Sequence, residues 1–255
     1  MTELQRLDVF GGWNFEQPVE TKQLFLTHRL IANELGFPNL VTLYSHNDRL
    51  LKPESHDPLI EHLYKIHELI YAYNNRNFNF FINKTDFVIS NAGDKKLLNE
   101  NVNRLQESQQ KTIKDVLTVA SEIQLVRESD RFKKFKSDEE KKDFLESALN
   151  VPYQEFANVF SYINQFTPFS TQHNIKGDEF KNVFVVLDNG NWSKYNFKYL
   201  FEDTGKDSVK ERTRKLFYVC CSRAKENLVV YFNKPSITSI QRATEWFGTE
   251  NVIEI

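Results

Sequence analysis

The sequence predicts an α/β fold, part of a parallel sheet built from residues before about 50 and after about 165, with a block of helices inserted between the two parts. Three observations carry this. Strand–helix–strand patterns stand at both ends of the chain. Between about Ser45 and Phe166 glycine is reduced to Gly93, and apolar residues recur at helical spacing. After that block, the run Val183-Phe184-Val185-Val186-Leu187 reads as a buried strand.

Taken in order, residues 1–20 are punctuated by Gly11-Gly12 and Pro18 and read as a loop or short element. Gln23 to Thr27 is a short strand. His28 to Leu35 is helical and stops at Gly36, with Pro38 just beyond. Leu40 to Tyr44 reads as another short strand. The central block shows five amphipathic patterns: Leu59-Leu63-Ile66-Ile70, Leu97-Val102-Leu105, Ile113-Val116-Leu117-Ala120-Ile123, Phe144-Leu145-Ala148-Leu149 and Phe156-Val159-Phe160-Ile163. Its basic clusters, Lys95-Lys96, Lys111 with Lys114, and Arg131-Lys133-Lys134-Lys136, fit solvated faces first and phosphate or partner contacts second. Residues 188–208 read as a long loop carrying Trp192, Tyr195, Phe197, Tyr199 and Phe201, rings that either anchor the loop or stack on bases of a single strand. Ile237 to Phe247 reads as a helix and Val252 to Ile255 as an edge strand. The expected division is 1–50 and 166–255 for the sheet and 51–165 for the helices.

Totals narrow the function classes. At 255 residues, 40% hydrophobic and 27% charged, the chain can bury an ordinary globular core. A net charge of −2 argues against a uniformly basic nucleic-acid binder and leaves room for a local basic channel. Cys220 and Cys221 are adjacent, which suits neither a structural disulfide nor a zinc site and fits a reducing, cytoplasmic setting. No apolar run approaches the roughly 20 residues of a membrane span, and no signal-peptide pattern opens the chain. His56, His62 and His67 share no clean helix face, so no metal site is expected.

Two stretches concentrate chemistry. Ser170-Thr171-Gln172-His173-Asn174-Ile175-Lys176-Gly177-Asp178-Glu179-Phe180 crowds a hydroxyl, an imidazole, an ammonium and two carboxylates around a glycine that permits a tight turn. It suits a charged, oxygen-rich ligand, or a capped turn whose polar groups satisfy one another. The second is Arg214-Lys215-Leu216-Phe217-Tyr218-Val219-Cys220-Cys221-Ser222-Arg223-Ala224-Lys225. If it is helical to Ala224, then Leu216, Val219, Cys220 and Arg223 share a face, and a permanent cation is aimed at the buried side. Such a charge needs a partner, either a carboxylate of the domain or a phosphate, whose geometry a guanidinium matches. Thr27, His28 and Arg29 at the first strand's exit fit a helix N-cap equally well as a ligand contact.

Together these stretches resemble motifs V and VI of superfamily 1 DNA helicases of the UvrD/Rep kind. Motif V is written T-x-H-x-x-K-G-x-E-F, and Thr171, His173, Lys176, Gly177, Glu179 and Phe180 match it. Motif VI is roughly Y-V-A-x-T-R-A, matched by Tyr218, Val219, Ser222, Arg223 and Ala224, with Ser222 for threonine and Cys220 for alanine. The resemblance implies a second RecA-like domain with an inserted helical subdomain, and a cytoplasmic enzyme that couples ATP hydrolysis to 3′ to 5′ movement on DNA, single-stranded or duplex. It implies that Gly177, Glu179 and Arg223 belong to the ATP site, Glu179 at the ribose and Arg223 as the catalytic arginine at the γ-phosphate. It also implies that Thr171, His173 and Lys176 face DNA. Thr-Gln-His-Asn-Ile-Lys-Gly-Asp-Glu-Phe and Leu-Phe-Leu-Thr-His-Arg further resemble the helicase subunits of Gabija-type anti-phage systems, which work beside an OLD-family nuclease.

The sequence contains no G-x-x-x-x-G-K-[ST] loop. Thr204-Gly205-Lys206-Asp207 lacks both the upstream glycine and the hydroxyl. The resemblance therefore covers the C-terminal half of a helicase, with the triphosphate cradle and the Mg2+ ligands expected on an N-terminal helicase half, and this chain alone is expected to hydrolyse no ATP. The alternative is a helicase-like module that binds nucleic acid or protein without ATPase activity.

Overall fold

The computed structural model describes residues 10–44, 48–172, 175, 177–189 and 192–254. It divides into two compact units, residues 1–34 with 165–255, and residues 35–164.

The first unit holds a four-stranded, all-parallel sheet in the order β2-β1-β3-β4, with β1 Thr21–Phe25, β2 Phe169–Thr171, β3 Phe180–Leu187 and β4 Ala224–Phe232. Alternation along the strands separates two faces. Leu24, Leu26, Val183, Val185 and Leu187 point into the main core. Helices α11 (Phe197–Glu202) and α12 (Asp207–Cys221) cover that face with Phe197, Leu200, Phe201, Leu216, Phe217 and Cys220. On the other face Phe184 meets Phe10, with Trp13, Phe15, Val229 and Tyr231 around them. The chain leaves β2 at the level of Phe25 and re-enters the sheet near Thr21, and between them Ile175 is buried in the main core.

The second unit is helical. It comprises α2 (Pro38–Leu43), α3 (Asp48–Leu51), α4 (Pro58–Asn74), α5 (Phe78–Lys84), α6 (Ala92–Ser108), α7 (Ile113–Glu122), α8 (Asp130–Lys136), α9 (Lys142–Leu149) and α10 (Tyr153–Ile163). Helix α1 (His28–Leu35) follows β1 and ends the first unit. Sequence capping sets many starts: Asn91 and Thr112 form capping boxes with Asp94 and Asp115, and Asp57 accepts from Ile60 N–H at 2.9 Å. All five anticipated amphipathic patterns are helices, while α5 and α8 had no such reading. The basic cluster of α8 faces solvent and pairs with acids, Arg131 with Glu61 at 3.2 Å and Lys133 with Asp130 at 3.4 Å.

Several expectations are corrected. Leu40–Tyr44 is helix α2 and not a strand: Pro38 starts the helix, and the Glu155 carboxylate caps it by accepting from Asn39 N–H (3.0 Å) and Leu40 N–H (3.1 Å). Residues 35–50 consequently go with the helices. The 188–208 loop contains α11, whose Phe197 and Phe201 are core residues, so these rings anchor the segment. Residues 249–251 form a 3₁₀ turn and 252–254 no regular structure, where an edge strand was expected. Helix α13 spans Ile237–Phe247 as anticipated.

Candidate functional site

The two motif stretches meet where β3 and β4 begin. Helix α12 ends at Cys221, with Ser222 at its C-cap and β4 starting at Ala224, so Arg223 lies in the turn and not on the helix as the spacing suggested. Its side chain nevertheless folds back: Nε–H donates to the Val219 carbonyl at 3.0 Å and Nη2 to Ser222 Oγ at 2.9 Å, satisfying the helix C-terminus. Nη1 donates to the Asp178 carbonyl at 3.2 Å, and the Arg223 carbonyl accepts from Phe180 N–H at 2.8 Å. The arginine turn and the glycine turn are thus tied in both directions. No carboxylate is bound to Arg223 among the described residues, and the side chain is half-buried.

Gly177 has φ +94, a left-handed conformation that opens the way for Asp178 and Glu179 to turn into β3. Glu179 is exposed beside Arg223 and faces Lys225 at 3.7 Å, a loose surface pair. Gly177, Glu179 and Arg223 are therefore together. Thr171 is at the other end of the crossing segment, aligned with Phe25, while Asn182 aligns with Thr21. Those levels are about 13 Å apart along the strands. Thr171 is 3% exposed, so its hydroxyl is enclosed. His173 and Lys176 lie outside the described residues.

Two residues of this region were not singled out by sequence reasoning. Gln172 is fully buried; its N–H donates to the Phe25 carbonyl at 2.8 Å and its side-chain amide to the Val186 carbonyl at 3.1 Å, so it ties the exits of three strands together. Lys22 is 6% exposed on β1, with its ammonium 5.6 Å from the centre of the Phe180 ring. Burial lowers its pKa, and Asp178 nearby partly offsets that. The signal for Lys22 was present: with the strand starting at Thr21, alternation puts it on the same face as Leu24 and Leu26.

Thr27 accepts from Leu30 N–H at 3.4 Å, an N-cap contact for α1. His62 stacks on Phe132 with centroids 4.6 Å apart, and His67 Nδ1 lies 2.8 Å from the Tyr153 hydroxyl. Cys220 and Cys221 are free, and burial raises both thiol pKa values, that of Cys221 to about 12.

The sequence family described as the UvrD-like helicase C-terminal domain matches residues 25–235, which takes in strands β2 to β4, only the last residue of β1, the helical unit and both motif stretches. The chain belongs to that family. No curated protein and no solved structure matches it. This helicase domain thus carries its family's two motif turns as neighbours, hydrogen-bonded through main chain and guanidinium. Among the described residues, no helix is long and apolar enough to cross a membrane.

Proposed function

We propose that this domain is the C-terminal part of an ATP-dependent, UvrD/Rep-like DNA helicase moving 3′ to 5′ on a single strand, and that it supplies half of an ATP site. The reciprocal tie between Arg223 and the Asp178–Phe180 stretch carries the reading. A guanidinium has five N–H donors. Three are given to Val219, Asp178 and Ser222, which fixes the group and leaves two for a ligand. A cation held this way needs no reorganisation to meet charge developing on a transferred phosphoryl group. Glu179 accepts from the ribose hydroxyls, and Gly177 gives the backbone its approach.

Arg223 and Lys22 beside this turn suit an anion, and because the sequence has no Walker-type loop the phosphate cradle and the Mg2+ ligands are assigned to an N-terminal helicase half. His173 and Lys176 contact the DNA strand, whereas Thr171, being enclosed, supports them from within the fold. Closure of the ATP site on Arg223 and Glu179 is then transmitted to the strand through the motif V stretch.

The test supplies the missing half. Residues 1–255 alone should turn over no ATP. Adding the domain that bears a Walker-type loop should give DNA-stimulated ATPase, and Arg223→Ala should lower its kcat about a thousandfold. Turnover by the chain alone, or complemented activity indifferent to Arg223, defeats the reading. A second reading, a binding module without ATPase, is favoured by the three protein bonds Arg223 already makes, which give it a structural task. It predicts DNA or protein binding that survives replacement of both Glu179 and Arg223. An anti-phage role beside an OLD-family nuclease rests only on the wording of two short stretches, and co-purification with such a nuclease tests it.

A further inference from the structure

Lys22 presents a problem that its surroundings leave unsolved. The side chain is nearly enclosed, on the core face of β1 at the end where β3 begins. Among the described residues its ammonium has no hydrogen bond and no carboxylate within ion-pair distance, and it stands over the face of Phe180. Enclosing an ammonium this way is costly unless it is paired. Asp178 attracts it, but that carboxylate is exposed and beyond ion-pair range, so solvent screens most of the attraction. The aromatic face compensates only in part.

The position of the unpaired charge is informative. Phe180, whose ring lies under the Lys22 ammonium, and Asp178, whose charge acts on it, are the same residues to which Arg223 is tied, and Glu179 stands between them in sequence. Two cations from different strands, β1 and the entry to β4, therefore approach one three-residue stretch, one pinned by carbonyls and the other unpinned. We infer that Lys22 is a second phosphate-contacting cation of the candidate nucleotide site, meeting an oxygen of the polyphosphate chain alongside Arg223. The inference rests on the reading of this turn as half of an ATP site. Its lowered pKa fits a group held without its counter-ion, which regains its ordinary charge preference when an anion arrives.

The experiment is an NMR titration of the full chain with ATP, with inorganic tripolyphosphate and with adenosine, each to millimolar concentration, on wild type, Lys22→Met, Lys22→Arg and Arg223→Ala. Both the Lys22→Met and Arg223→Ala chains should bind ATP and tripolyphosphate about tenfold more weakly, Lys22→Arg should stay within about threefold of wild type, and adenosine shifts should be unchanged in Lys22→Met. The adenosine arm separates a charge contact from a collapsed turn, since loss of the turn would weaken all three probes. If Arg223→Ala weakens ATP binding while Lys22→Met binds as wild type does, the inference is overturned and the nucleotide site stands. Equal loss of all three probes in Lys22→Met, with no recovery in Lys22→Arg, also overturns it. If the wild-type chain shows no shift with ATP or tripolyphosphate, the site reading falls and takes this inference with it.

Discussion

Glu155 in the helical unit and Lys22 in the sheet unit are both charged side chains enclosed to similar degree, 7% and 6% exposed, yet the fold treats them differently. The Glu155 carboxylate accepts three hydrogen bonds, from Asn39 N–H, Leu40 N–H and Asn39 Nδ2, the last at 2.6 Å. It replaces a local N-cap for α2 across more than a hundred residues of sequence and so closes the helical unit on itself. Lys22 has the face of a ring and a carboxylate beyond ion-pair range. A buried charge with all its bonds made is an instrument of folding. One left short of partners, beside a turn shared with the family's arginine, is matter for a ligand.

The largest test of that contrast is Glu155→Ala. It orphans the buried main-chain donor of Leu40 and the part-buried one of Asn39 at the start of α2 and should destabilise the helical unit by about 3 kcal/mol, read by urea denaturation with a probe in residues 35–164. Glu155→Gln keeps an acceptor oxygen and should cost about 1 kcal/mol. Equal, negligible effects of both would remove Glu155 from the account.

Acid should act next, and on the same unit. Burial among Phe156, Phe160 and Tyr153 lowers the His67 pKa from 6.5 to about 4. The unfolded chain therefore binds the extra proton first, and stability falls as pH drops from 6.5 towards 4. By pH of about 5 the loss should reach about 2 kcal/mol. Burial lowers the pKa of His56 and His62 as well, which adds in the same direction. The denaturation midpoint of wild type should fall relative to that of His67→Phe across this range as the pH drops.

The two units also differ in how far the sequence disclosed them. Periodicity exposed the long helices because each buries one stripe, as α4 does with Leu59, Leu63, Ile66 and Ile70. It misread Leu40–Tyr44, whose capping carboxylate comes from Glu155 and is invisible locally. At the site, Gly177, Glu179 and Arg223 were legible as motif letters, and the structure brings them together. Its actual joint was not legible: Arg223 sits beyond the helix, and its bonds run to main-chain carbonyls that no side-chain spelling encodes. Lys22 went unnoticed because the strand was taken to start at Gln23, one residue past it.

Gly177→Ala should have a smaller effect. At φ +94 a side chain is strained whatever the space, and nothing lies within 4 Å of the added Cβ, so the cost is backbone strain alone, about 1 kcal/mol. Thermal denaturation of the sheet unit reads this directly. A larger loss would mean that the turn carries more of the unit's stability than its contacts indicate.

The smallest expected change in stability is also the sharpest. Lys22→Met keeps the length and apolar stem of the side chain and removes a charge for which the fold provides no hydrogen bond. Replacing a buried, poorly paired charge by an apolar group of like shape is often neutral or stabilising. Stability should therefore hold to within about 0.5 kcal/mol, or rise, with the loss of the Phe180 contact offset by relief from desolvation. Glu155 and Lys22 would then respond in opposite ways to removal of a similarly enclosed charge. A loss of about 2 kcal/mol or more in Lys22→Met, measured by urea denaturation, would show that the ammonium is satisfied within the domain, and Lys22 would join Glu155 among the residues that serve the fold.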